Sequence, residues 1–476
     1  MNEKTDYRDV NENPCHMCMP MGGILPIKGI EGGMVVIHGS QGCSTYMRRY
    51  ISEHFSEPID VGSSSLNEKG TVYGGEKNLK QALDNIRKVY NPKLIGVLTT
   101  CLAETIGEDI NRIADDYLKE RNLNNDLVII PVSTPGYGGT QAEGYFRTVR
   151  EIVAGLAQPS PKHNKLNIIV PNISPADIRE IKRILALMGV EYTLCPDFSD
   201  TLDRPYLEHY SKMAPGGTKL EDIRGMPGAV ATIELGETVG DEYSPGRFLA
   251  DNYGVPLYTL PIPIGVKNCD AFFNTIKKLT GKPLAESIKA ERGRLLDAMV
   301  DSHKYNFAGR STIFGEPELV YAVSQLCIEN GVYPAVVATG GAGAKLTNLL
   351  RAVVAECPEP VAILTESDFC EILEQSRLHQ VNIAIGHSEG RYLTEHGNIP
   401  LVRIGFPIHD RVGGQRLLAV GYTGTTLLLD RITNTLLENK YRTYRTDMYD
   451  LYYKENSGPP AAAEDEVIGD DGLYSL

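Results

Sequence analysis

"HGSQGCSTYMRRY" (residues 38–50) follows the short apolar run Met34–Ile37. The segment reads as a buried strand, a glycine-containing turn and the start of a helix. A turn of this kind usually points to phosphate binding at a helix N-terminus. Here it carries Cys43, set between Gly42 and Ser44. Two other cysteine segments flank it: "CHMCMPMGG" (15–23) before and "TTCLAETIGEDI" (99–110) after. These cysteines could pack, react or hold metal.

The same strand–turn–helix rhythm repeats outward along the chain. "NLKQALDNIRKVY" places Leu79, Ala82, Leu83, Ile86 and Val89 at helical spacing. "LIGVLTTC" is the next strand and ends at Cys101. "AETIGEDINRIADDYL" reads as one helix, with Thr105 and Glu108 at capping-box spacing. "LVIIPVSTPGYGG" is a third strand breaking into a loop. Cys43 and Cys101 thus fall just past the carboxyl ends of strands, where open α/β sheets bind ligands.

A polar, proline-containing seam at 156–166 precedes a restart. "LNIIVPN" is a strand, and "SPADIREIKRILALMG" is a helix with Ser174 as N-cap and Pro175 at its first position. "VEYTLCPD" and "GAVATIELG" are further strands, and "GRSTIFGEPELVYAVSQLCIENG" opens a third unit continued by "YPAVVATGG", "VNIAIGHS" and "PLVRIGFP". The expectation is an α/β protein of three Rossmann-like domains, with parallel sheets flanked by helices. Its parts are a polar arm over 1–13, domains over 14–160, 161–305 and 306–440, and a C-terminal helix with an acidic tail over 441–476. The tail is Pro/Ala-rich and reads as disordered.

Composition narrows the class. Apolar residues make up 42% and charged residues 23% of 476, as in globular proteins. A net charge of −14 argues against a nucleic-acid surface. No apolar run is long enough for a membrane helix, and the polar start is no signal peptide, so a cytoplasmic location is expected. Nine cysteines in such a chain do not form a disulfide framework. Cys195, Cys269, Cys327, Cys357 and Cys370 lie among apolar neighbours and read as core.

The chemistry rests on the other four. "HGSQGC" lacks the G-x-G-x-x-G spacing and "ATGGAGAK" (338–345) lacks that of a P-loop, so the glycines read as tight turns. Cys43 at a helix start would have a lowered pKa, but no base is paired with it, and Cys18 and Cys101 hold similar positions. Successive spacings of 25 residues from Cys18 to Cys43 and 58 from Cys43 to Cys101 are wide for zinc and acceptable for an iron–sulfur cluster. Gly22, Gly23, Gly39 and Gly42 would let backbone approach a bulky cluster. Iron–sulfur ligation, structural cysteines, and zinc or thiol chemistry all stay open on spacing alone.

"CMPMGG", "HGSQGCSTYMRRYISEHFSEPID", "SSSLNEKGTVYGGEKNLKQAL", "TTCLAETIGEDI" and "STPGYGGTQAEGY", in this order, resemble the β-type subunits of nitrogenase component 1 and its relatives. The similarity continues through "PADIREIKRILALMGVEYTLCPDFSDTLD", "APGGTKLEDI", "PIPIGVKNCDAF" and "IPLVRIGFPIHDR", and spans roughly residues 13–440. It implies the three-domain component 1 fold and an α2β2 heterotetramer. It also implies an iron–sulfur cluster between unlike subunits, held from this side by Cys18, Cys43 and Cys101, and an ATP-dependent iron protein (NifH-like) as electron donor. Cys15 would pack beside the cluster or add a ligand, and Thr140 is a further candidate ligand.

Within the family, the opening Asn13–Gly22, the loop "GTQAEG" (139–144) and "DRVGGQR" (410–416) resemble the scaffold subunit of iron–molybdenum cofactor assembly (NifN-like, with a NifE-like partner). In that loop Thr140 stands where catalytic subunits carry serine. A scaffold would hold a [4Fe–4S] cluster. Retention of all three cysteines leaves a catalytic β-subunit with a NifD-like partner, or a nitrogenase-like reductase such as a methylthio-alkane reductase, relaying electrons through an [8Fe–7S] P-cluster. A subunit that only completes the heterotetramer is the third reading.

Overall fold

The computed structural model describes residues 14–123, 126–209, 211–442 and 444–454. The expected arm over 1–13 and the acidic stretch from 458 lie outside the described residues. Among the described residues thirteen strands form three sheets, and every strand pair in them is parallel. The first sheet holds β1 (Gly33–His38), β2 (Gly62–Ser63), β3 (Leu94–Thr99) and β4 (Val128–Val132), in the order β2-β1-β3-β4. The second holds β5 (Leu166–Ile169), β6 (Tyr192–Cys195), β7 (Thr232–Leu235) and β8 (Leu257–Leu260), in the order β6-β5-β7-β8. The third holds β9 (Arg310–Phe314), β10 (Tyr333–Ala338), β11 (Ala362–Leu364), β12 (Ile383–Gly386) and β13 (Leu401–Arg403), in the order β11-β10-β9-β12-β13.

Every residue of β1 and β3 is buried, as strands covered by helices on both faces require. One apolar core runs through all three sheets, joining Val35 and Leu98 to Ile168 and Ile233 and to Ile313 and Val337. A second cluster fills the other face of the first sheet, around Leu83, Val97 and Ile113. The helix Met19–Lys28 crosses the helix Gln141–Leu156 at glycines. A Cβ on Gly22 would stand 1.8 Å from the Gln141 carbonyl oxygen, and one on Gly144 2.0 Å from that of Met19. Among the described residues no helix is long and apolar enough to cross a membrane.

Two expectations about local structure need correction. The single helix expected after Cys101 is two, Cys101–Thr105 and Ile110–Glu120, because Gly107 adopts φ +76° between them. The N-cap of the second is Asp109, which accepts from the Arg112 N–H at 3.0 Å. The expected Thr105–Glu108 capping box is not used. Glu108 instead takes the Gly75 N–H at 2.5 Å. The strands β2, β8 and β11 are not expected from the sequence; each lies at the edge of its sheet and all of its residues are only half-buried.

Candidate functional site

The first sheet sets the site by its strand order. The chain leaves β1 to form β2 on one side, then returns across to β3 on the other. The loops at the carboxyl ends of β1 and β3 therefore diverge and leave a crevice. Cys43 and Cys101 stand on those two loops. Cys43 is the third residue of the helix Gln41–Phe55, and Cys101 opens the turn Cys101–Thr105. Cys18 arrives from outside the sheet as the N-cap of the helix Met19–Lys28. All three sulfurs thus sit where unpaired helix N–H groups favour negative charge.

The glycine that matters most here was not singled out from the sequence. It is Gly136, in the loop after β4. A Cβ there would stand 2.8 Å from the Cys18 sulfur and 3.1 Å from the Cys101 sulfur, so the two thiols flank one point. The Gly136 N–H donates to the Cys101 sulfur at 3.2 Å. The Ser40 hydroxyl donates to the Cys43 sulfur at 3.6 Å. Gly22 and Gly23 serve packing against the helix Gln141–Leu156 and Leu98, and Gly39 meets Thr100. A Cβ on Gly42 would meet only the Ser40 hydroxyl, at 3.8 Å. "TPGYGG" offered a signal for Gly136, but its closeness to two cysteines depends on pairing of β3 with β4.

Cys18 and Cys101 are exposed and Cys43 is half-buried. Protein packed around the Cys18 sulfur, then the nearby Cys101 and Cys43 thiols, push its pKa up to about 11. Thiols that hinder one another's ionisation in this way gain most from a shared cation. Among the described residues no three His, Cys, Asp or Glu side chains are grouped to hold a single metal ion. A zinc ion needs its thiolates within roughly 4 Å of one another. A cluster attaches its cysteines to different irons and sets no such demand. The donor set, all sulfur and open to one side, fits half of a cluster site. Tyr46 and Tyr137 stand exposed beside it (64% and 68%).

Behind the cysteines the loops are tied down by buried polar groups the sequence did not announce. His38, at the end of β1, bonds Ser64 Oγ through Nδ1 at 2.9 Å and Glu108 through Nε2 at 3.4 Å. The Ser64 hydroxyl accepts from the Gly39 N–H at 3.0 Å. Burial lowers the His38 pKa, with Glu108 opposing. The Thr99 hydroxyl donates to Glu104 at 2.6 Å and accepts the Thr134 N–H at 2.8 Å, joining the β3 loop to the β4 loop.

The two remaining candidates lie differently. Thr140 pairs with Cys18 in an isolated antiparallel bridge. Its N–H and its hydroxyl both donate to Glu143 Oε2 at 2.6 Å, so the hydroxyl is engaged in starting a helix. Cys15 is buried in the apolar cluster of the third sheet with Phe314 and Val336. Burial pushes its thiol up to about 12, against a backbone bond from Gly315. Of the five cysteines read as core, Cys195, Cys269 and Cys327 are buried, and Cys357 and Cys370 are half-buried.

The family described as nitrogenase component 1 type oxidoreductase matches residues 18–437. The chain is 37% identical to a nitrogenase molybdenum-iron protein beta chain from Methanococcus maripaludis, over 90% of this chain and 95% of that one. It is 35% identical to the nitrogenase vanadium-iron protein beta chain of Trichormus variabilis, over 89% and 93%. A solved structure described as nitrogenase Cp1 at pH 6.5 superposes with a TM-score of 0.88 at 35% identity, covering 93% of this chain and 96% of that one. The first two are named as β chains of nitrogenases, the third as a nitrogenase, and none of the three is named as a cofactor-assembly scaffold, so the balance moves from the scaffold reading to its alternative.

Proposed function

The chain belongs to the nitrogenase component 1 type oxidoreductases, and we propose that it serves there as the β-type subunit of a catalytic component 1. Cys18, Cys43 and Cys101 would be its ligands to an eight-iron P-type cluster shared with an α-type (NifD-like) partner in an α2β2 heterotetramer. The observation that carries this is the meeting of the Cys18 and Cys101 thiols at Gly136, with Cys43 at the helix start on the other side of the β1/β3 crevice. The full-length similarity to molybdenum- and vanadium-iron β chains supports a reductase over a scaffold. When bound, the cluster supplies reversible electron transfer between an ATP-dependent iron protein (NifH-like) and the partner's cofactor.

The chain's own residues do the rest. The three cysteines give up their protons on ligation, and the helix N-termini with the Gly136 N–H offset the charge that results. The His38–Ser64–Glu108 and Thr99–Glu104 bonds hold the loops in register. The Thr140 hydroxyl, engaged by Glu143, is not counted as a ligand. Exposed Tyr46 and Tyr137 form part of the face that the partner covers, sealing thiols otherwise open to oxidation. The complex is placed in the cytoplasm, where thiols stay reduced.

The test is to purify the complex with its α-type partner, count iron, record EPR spectra and assay dinitrogen and acetylene reduction with the iron protein and MgATP. An eight-iron signature with turnover is expected, both lost in Cys43→Ala. A four-iron signature without turnover, together with a cofactor that transfers to a recipient apo-protein, would return the chain to the scaffold reading.

A further inference from the structure

The crevice that carries the cysteines has a counterpart in each of the other sheets. In the third sheet it lies between β9 and β12, and it is filled: Cys15 bonds the backbone of Gly315 there, beside buried His387. In the second sheet it lies between β5 and β7, and it is open. The loops beyond those strands, Pro171–Asn172 and Thr238–Gly240, meet the third sheet's loops at Glu316–Leu319 and Gly341–Lys345. Together with the start of the helix Gln141–Leu156 they enclose a cavity of about 260 Å³. "ATGGAGAK", which the sequence left as a turn, forms part of its wall.

Its walls are largely apolar, formed by Tyr145, Phe146, Ile262, Leu319 and Leu346. Its charged groups are, but for Lys345, acidic: Glu143, Glu242, Glu316 and Glu318. Glu318 is spent on the fold: Oε2 accepts the Glu237 N–H at 3.0 Å, and Oε1 accepts the Thr238 N–H at 2.6 Å and hydroxyl at 2.5 Å. Lys345, the one cation in the lining, donates to the Val239 carbonyl at 2.6 Å from an exposed position at the mouth. Glu316 and Glu143 face the interior. Glu316 is held by the side-chain amides of Asn172, at 3.0 Å, and of Gln141. Glu143 gives Oε2 to Thr140, while its Oε1 lies 3.9 Å from where a Cβ on Gly341 would be.

We propose that this cavity is a binding site for a small organic cation, a primary amine or amidine with an apolar body. The charged head would lie against Glu316 and Glu143, and the body against Tyr145, Phe146 and Leu319. An apolar pocket with a few convergent polar groups at a strand-order reversal is the ordinary setting of a small-molecule site. Carboxylates in a low-dielectric recess attract cations and repel anions of the same shape. Burial already holds Glu316 up to about 7, so a cation beside it would favour its ionised form. The cavity is lined from the second and third sheets and the helix Gln141–Leu156, not from the cysteine loops.

Three isosteric probes test it on the purified complex by calorimetric titration: benzylamine, benzyl alcohol and benzoate. Benzylamine should bind saturably, benzyl alcohol at least about tenfold more weakly, and benzoate not at all. Glu316→Gln keeps the shape and should weaken benzylamine at least about tenfold. Ala342→Trp, on the exposed rim, should block every probe without touching the core. Benzoate binding as well as benzylamine, no saturable benzylamine binding, or benzylamine binding unchanged in both variants would each overturn the proposal. Iron content and the cluster EPR signal should stay constant throughout, so a failure here is distinct from a failure of the cluster assignment.

Discussion

Gly136→Ala is the sharpest probe of the cysteine site. Gly136 is not among the residues with positive φ, so alanine meets no backbone penalty there. Its methyl, however, would sit 2.8 Å from the Cys18 sulfur and 3.1 Å from the Cys101 sulfur. Relaxed contacts of this kind lie near 3.5–4.0 Å, so the thiols must retreat by roughly 0.5–1 Å. Cys18 and Cys101 are exposed and can retreat, so fold stability should change by less than about 1 kcal/mol. A cluster site tolerates only about 0.5 Å, so iron affinity should fall roughly 10–100-fold. The assay is iron per complex, with EPR, beside urea unfolding. Gly42→Ala is the control: it adjoins Cys43 but would meet only the Ser40 hydroxyl, and should keep its iron. Full iron and an unchanged spectrum in Gly136→Ala would refute a ligand site built around that point.

Gly22→Ala should cost at least about 3 kcal/mol, because its methyl would stand 1.8 Å from a backbone oxygen that neither helix can move aside; a urea midpoint within about 1 kcal/mol of the parent would contradict the helix crossing. Cys15→Ser should cost about 1–3 kcal/mol by placing a hydroxyl in the apolar cluster of the third sheet, yet leave iron content unchanged; loss of iron would make Cys15 a ligand. His54 accepts the Ile408 N–H at 2.8 Å, and burial lowers its pKa from the usual 6.5 to about 3. A depressed folded-state pKa contributes stability above the unfolded value that is lost as pH falls from 6.5 towards 3. Glu316 and Glu318, raised from 4.5 to about 7, act oppositely and lose their contribution as pH rises through that range. The difference in unfolding free energy between the parent and His54→Leu should therefore shrink on acidification below pH 6.5, and a pH-independent difference would argue against a buried neutral imidazole.

What could be read along the chain was what repeats locally. Alternating apolar runs and amphipathic helices announced parallel α/β sheets, and Ser174 with Pro175 marked a helix start that the structure uses. Cys43 stood out beside Gly42 at a helix start, Cys18 just before Gly22 and Gly23, and Cys101 at the end of an apolar run, and element ends are where backbone donors go unpaired. The sequence by itself therefore determined the fold class and the helix start at Cys43, whereas the helices that begin at Met19 and Cys101 came from the structure. Tertiary structure alone decided the rest, since strand order and loop contacts join residues far apart in the chain. Pairing β1 with β3 and β3 with β4 places Gly136 between Cys18 and Cys101, and draws Glu108 to His38 across 70 positions. Packing of the third sheet takes Cys15 into an apolar cluster although only two residues separate it from Cys18. Local periodicity reports which face a residue turns to the core, whereas a site is made where distant loops meet, and no local pattern encodes that meeting.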